Sequence, residues 1–93
     1  MILNDLFATI KARKTANINE SWTMKLLSEG PEKCAEKFGE EAIEAIIEAV
    51  KGDKTALTLE AADVLYHLLV MLAAADVELN DVMLELERRQ TTS

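Results

Sequence analysis

Ninety-three residues with a formal charge of −7 read as one small domain, whose surface-to-volume ratio leaves little stability to spare and favours oligomerisation. The acidic balance argues against nonspecific binding to nucleic acid, which needs clustered Lys and Arg; an anionic substrate stays open, because a bound metal inverts the local sign. Cys34 has neither a disulfide partner nor zinc-type spacing, which fits a reducing, cytoplasmic setting. The start of the chain does not read as a signal peptide, and no membrane span is expected, since Glu60, Asp63 and His67 break the apolar stretch from Leu57 to Ala75.

In chain order, Ile2, Leu3, Leu6, Phe7 and Ile10 recur at helical spacing and predict an amphipathic first helix to about Lys14. The polar stretch Thr15 to Glu20 reads as a loop. Ser21 can cap a short second helix, Trp22 to Glu29, stopped by Gly30. Pro31 suits the first position of a third helix, which runs to about Lys51 and ends at Gly52. Asp53 caps a fourth, to about Ala75; Asn80 caps a fifth, ending near Arg89, with Gln90 to Ser93 frayed. Short connections make the third, fourth and fifth helices antiparallel neighbours in an all-α bundle of about five helices. The fourth helix is apolar almost all round, so it should be buried on all sides, and a second subunit is expected to cover part of it.

Charge on that helix is the chemical clue. Lys37, Glu40, Glu41, Glu44 and Glu48 form one stripe on the third helix; Glu60, Asp63 and His67 form another on the fourth. Alone, the first stripe reads as a solvated face. The second interrupts what is otherwise core, where unpaired carboxylates are costly. If the stripes face each other across a cation, Glu41, Glu44, Glu60 and Asp63 supply oxygen ligands with Glu40 alongside, a set that suits Mg²⁺ or Mn²⁺. The alternative is two charged faces, the second partly solvated and paired with Lys. A di-iron site needs Glu-x-x-His, and Val64 stands three residues before His67. Arg13, Lys14, Lys25, Lys33 and Lys37 precede or flank the acidic stripe and can reach phosphate oxygens, although only Lys37 shares the acidic face. His67 reads equally as a core histidine or as a partner standing behind a ligand. Trp22 can stack on a base, but a lone aromatic beside a leucine pair is more often core, and Tyr66 is expected to pack there too.

Glu40-Glu41-x-x-Glu44 followed by Glu60-x-x-Asp63 resembles the signature of the MazG-like all-α nucleotide pyrophosphohydrolases. Ser21-Trp22-Thr23-Met24-Lys25-Leu26, Gly30-Pro31-Glu32-Lys33, Lys37-Phe38-Gly39-Glu40-Glu41, Asp63-Val64-Leu65-Tyr66-His67 and Glu85-Leu86-Glu87-Arg88-Arg89 are similar, in order, to the branch that hydrolyses phosphoribosyl-ATP in histidine biosynthesis. Trp22 stands where tyrosine is expected there. The resemblance covers nearly the whole chain and implies Mg²⁺-dependent cleavage to phosphoribosyl-AMP and pyrophosphate in a cytoplasmic homodimer or larger oligomer, with Glu40 or Glu41 orienting the attacking water. Two rivals remain: a house-cleaning nucleoside triphosphate pyrophosphohydrolase with the same metal site, and a non-catalytic helical dimerisation module.

Overall fold

The computed structural model describes residues 2–14 and 22–92, apart from the side chain of residue 92. Five helices follow one another: α1 (Ile2–Lys14), α2 (Trp22–Ser28), α3 (Pro31–Lys51), α4 (Lys54–Ala74) and α5 (Leu79–Thr92), with no strand among the described residues. The all-α MazG-like architecture is therefore the one expected. The expected loop Thr15 to Glu20 and the expected cap Ser21 lie outside the described residues.

Local chemistry explains the central hairpin. Pro31 opens α3 where an amide would have no helical partner. Gly52 closes it in the left-handed region at φ 77°, where its N–H donates to the carbonyls of Glu48 and Ala49. One residue later, Asp53 Oδ1 accepts from the Ala56 N–H at 3.0 Å and starts α4. A left-handed stop directly followed by a cap turns the chain back on itself, and α3 and α4 pack along their length.

At the closed end of the molecule, Phe7 and Ile10 from α1, Leu26 and Leu27 from α2, Cys34 from α3, and Leu69, Val70, Ala73 and Ala74 from α4 form the core. The Cys34 thiol is fully buried and donates to the Leu26 carbonyl. Near the hairpin turn the pattern inverts. Glu41 is buried, whereas Ile43, Ile46, Ile47 and Val50 on α3 and Leu59 on α4 are exposed.

Several expectations need correction. Trp22 is 55% exposed rather than core, because α2 turns Thr23, Met24, Leu26 and Leu27 inward instead. Of α4, only His67, Leu69, Val70, Ala73 and Ala74 are buried. That helix is also long and apolar enough to cross a membrane, against the sequence expectation, with only 22% of the stretch buried. Helix α5 starts at Leu79, so Asn80 lies inside its first turn and is not the cap. Its helical geometry runs through Thr92, and Glu85 bridges Arg88 and Arg89 at 2.6 and 2.9 Å. Nor is α5 a bundle neighbour of α4: it has no extensive contact with any helix and is attached to the core through Leu79 and Met83. The Cα radius of gyration, 14.4 Å, exceeds the roughly 12 Å of a compact chain of this length.

Candidate metal centre

The hairpin sets the site's register. Glu44 and Glu60 lie equally far from Gly52 on either side, and so do Glu41 and Asp63, so an antiparallel pair of helices brings each couple level. One carboxylate oxygen from each of Glu41, Glu60 and Asp63 lies within 4.8 Å of the other two. Their surroundings grade from buried Glu41 through half-buried Glu60 to exposed Asp63. Glu60 Oε2 is buried without any hydrogen-bond partner. A buried carboxylate oxygen with nothing donating to it is costly, and here the carboxylate that carries it is grouped with two others.

Glu44 stands exposed beside the trio. Its carboxyl is held above the usual range, first by Coulombic repulsion from Glu41 and then by hydrogen bonds shared with Glu60 and Glu41. Three of the four residues expected as ligands therefore converge in geometry, and the fourth, Glu44, feels two of them electrostatically. Lys37 closes one side: its ammonium is 3.3 Å from Glu41 and 3.6 Å from Glu40, and the hydrogen bond to Glu41 is the main cause of its raised pKa. Lys37 and Glu40 also line a cleft of about 150 Å³ together with Trp22, Lys33 and Glu36. Lys33 pairs with Glu36 at 3.5 Å. Lys25 stands exposed on α2 and is not part of this lining, while Lys14 donates to the Ala73 carbonyl and to Asp76 at the far end of the core. Arg13 borders a separate cavity.

His67 is buried behind the trio, one turn along α4 from Asp63, and its Nδ1 has no partner. Burial lowers its pKa; the charges of Glu41 and Asp63 oppose that shift and Lys37 adds to it. An imidazole held neutral in the folded state takes up fewer protons than the unfolded chain just below its ordinary pKa of 6.5. Its contribution to stability is therefore present above that value and is lost as pH falls through the window beneath it. Melting temperatures of wild type and His67→Gln in EDTA should converge, relative to their difference at pH 7.5, as the pH is lowered to about 5.5. A constant difference across that range would contradict a buried neutral imidazole.

Exposed Trp22 escaped the sequence reading because a seven-residue helix spans two turns, too few for periodicity to say which residues face inward.

The chain is similar to known proteins over nearly its whole length. Residues 3–90 match the profile of the phosphoribosyl-ATP pyrophosphohydrolase family. The phosphoribosyl-ATP pyrophosphatase of Roseobacter denitrificans is 76% identical over 93 residues, which is 100% of this chain and 89% of the relative. Proteins of the same name from Cereibacter sphaeroides, at 70% over 92 residues, and Ruegeria pomeroyi, at 71% over 92, each align with 99% of this chain. They are covered over 89% and 88% of their own lengths.

Proposed function

Because this chain belongs to the phosphoribosyl-ATP pyrophosphohydrolase family, we propose that its acidic hairpin hydrolyses phosphoribosyl-ATP to phosphoribosyl-AMP and pyrophosphate with Mg²⁺ as cofactor. At this level of similarity over the full chain, it is a hydrolase with phosphoribosyl-ATP pyrophosphatase function in histidine biosynthesis. The observation that supports the metal reading best is the orphaned Glu60 oxygen beside Glu41 and Asp63. Three carboxylates gathered without a cation repel one another, and an all-oxygen donor set fits Mg²⁺, with Mn²⁺ as a substitute.

In this proposal Glu41, Glu60 and Asp63 hold the metal and Glu44 completes the set. When bound, Mg²⁺ offsets the charge of the triphosphate and acidifies a coordinated water. Glu40, exposed beside Lys37, orients the attacking water and accepts its proton, or Glu41 does so from within the cluster. Lys33 and Lys37 hold phosphate oxygens along the cleft they line, and Lys25, exposed on α2 outside that lining, is a further candidate for the same role. Phosphoryl transfer asks chiefly for positioning and charge stabilisation, so no covalent nucleophile is needed. His67, buried one turn from Asp63 and within the electrostatic reach of Glu41 and Asp63, is the candidate partner behind these ligands. The working molecule is a cytoplasmic homodimer or larger, whose second copy covers the exposed apolar stripe of α3.

Substrate profiling tests this reading. Turnover of phosphoribosyl-ATP with Mg²⁺ should exceed that of ATP and the ordinary deoxynucleoside triphosphates by orders of magnitude. Comparable turnover of several deoxynucleotides would overturn it in favour of a house-cleaning enzyme.

A further inference from the structure

Most cations in this acidic chain are already committed. Lys11 pairs with Glu78, Lys14 with Asp76, Lys33 with Glu36, Lys37 with Glu40 and Glu41, Lys51 with Glu48, and Arg88 and Arg89 with Glu85. Arg13 has no carboxylate within ion-pair distance among the described residues. It borders a cavity of about 210 Å³ with Leu6, Thr9, Ile10, Thr23 and Tyr66. Within that lining the hydroxyls of buried Thr23 and half-buried Tyr66 are hydrogen-bonded to each other. The guanidinium lies close enough to the phenol to oppose the upward shift that burial imposes on it. Thr9 donates to the Asp5 carbonyl of its own helix. One planar, always-charged donor fork facing a pair of hydroxyls across an apolar wall is the chemistry that binds a phosphate monoester carried on a small sugar.

The cavity's position adds to its meaning. Tyr66 follows Asp63 by three residues on α4, a displacement of about 5 Å along the axis. One wall of the cavity, Tyr66, thus stands about one helical turn from Asp63, and the cavity shares no residue with the trio. Phosphoribosyl-ATP has two phosphorylated ends, the triphosphate and the phosphoribosyl group, whereas ATP has only the first. We propose that this cavity holds the phosphoribosyl end of the substrate, with Arg13 on its phosphate and Thr23 and Tyr66 beside it, and that it is what separates phosphoribosyl-ATP from ATP. The inference rests on the proposed substrate and metal reading, and it deepens that reading by assigning the second end of the molecule.

Arg13→Met, Arg13→Lys and Tyr66→Phe test it, since Arg13 is exposed and its replacement leaves the core intact. In Arg13→Met, KM for phosphoribosyl-ATP should rise at least about tenfold with kcat within about threefold, the loss expected for one charge-assisted phosphate contact. Arg13→Lys should recover part of the loss, and Tyr66→Phe should show a smaller rise in KM. Ribose 5-phosphate, titrated calorimetrically without Mg²⁺, should bind wild type and Glu44→Gln alike but not Arg13→Met. An equal rise in KM for ATP and for phosphoribosyl-ATP in Arg13→Met would place Arg13 on the triphosphate and overturn the proposal. Full discrimination by Arg13→Met, or no ribose 5-phosphate binding by wild type, would also overturn it. A wild type that fails to prefer phosphoribosyl-ATP would instead strike the underlying substrate assignment, so the two failures can be told apart.

Discussion

Glu44→Gln should lower hydrolysis of phosphoribosyl-ATP at least about a hundredfold while the metal-free protein keeps or gains thermal stability. The two effects have one cause. The Glu44 carboxyl is raised above its ordinary value by Glu41 and Glu60, so in the pH window above 4.5 the folded state holds a proton that the unfolded chain has released. Stability therefore falls as pH rises through that window, and at neutral pH the ionised group works against the fold. Glutamine removes the charge and keeps the volume, which relieves the repulsion. The stabilisation that Mg²⁺ adds by mass action should shrink in the same variant. Asp63→Asn should behave alike. Turnover of phosphoribosyl-ATP checks the first effect and melts with and without Mg²⁺ the second; variants that lose stability yet keep the full Mg²⁺ shift would mean that these residues are structural.

Wild type should sediment as a homodimer or larger at micromolar concentration, and Ile46→Glu should drive it to monomer. Ile43, Ile46, Ile47 and Val50 recur at helical spacing on α3 and are 59%, 60%, 50% and 83% exposed, while Glu41 on the same helix is buried. A helix that exposes its isoleucines and buries its carboxylate has its apolar side facing something outside the chain. Covering each isoleucine is worth on the order of 1 kcal/mol, and α4, with only 22% of its apolar stretch buried, adds to the surface to be covered. A glutamate at position 46 would have to be desolvated in that seam. On an ordinary surface the same substitution would change stability by less than about 0.5 kcal/mol and leave the sedimentation unchanged. A folded wild-type monomer at micromolar concentration contradicts the expectation.

The parts of the fold that local chemistry specifies were legible in the sequence. Pro31, Gly52 and Asp53 each restrict the backbone where they stand, so the α3–α4 hairpin and the facing of Glu41 and Glu44 on Asp63 and Glu60 follow from the turn's position. What depends on tertiary choice was not legible. Leu79, Val82, Met83 and Leu86 make an ordinary amphipathic stripe on α5, and nothing in that spacing says that only Leu79 is buried and only Met83 packs beside it on the core. Arg13 and Lys14 are adjacent cations with the same sequence signal. The packing of α1 on α4 sends Lys14 to the Ala73 carbonyl and Asp76 and leaves Arg13 at the Tyr66 cavity. Glu40, Glu44 and Glu48 look alike in the acidic stripe, yet Glu48 pairs with Lys51, Glu40 with Lys37, and the Glu44 carboxyl is raised by Glu41 and Glu60.

Pyrophosphate release from phosphoribosyl-ATP, followed in one preparation with Mg²⁺, after removal of metal with EDTA, and after Mg²⁺ is restored, tests the central claim most directly. The account predicts one pyrophosphate per phosphoribosyl-AMP with Mg²⁺, at least a hundredfold loss in EDTA (about the factor expected when the carboxylates have no ion to position) and full recovery on restoring the metal. Release that continues undiminished in EDTA, or no pyrophosphate with Mg²⁺ present, would contradict it.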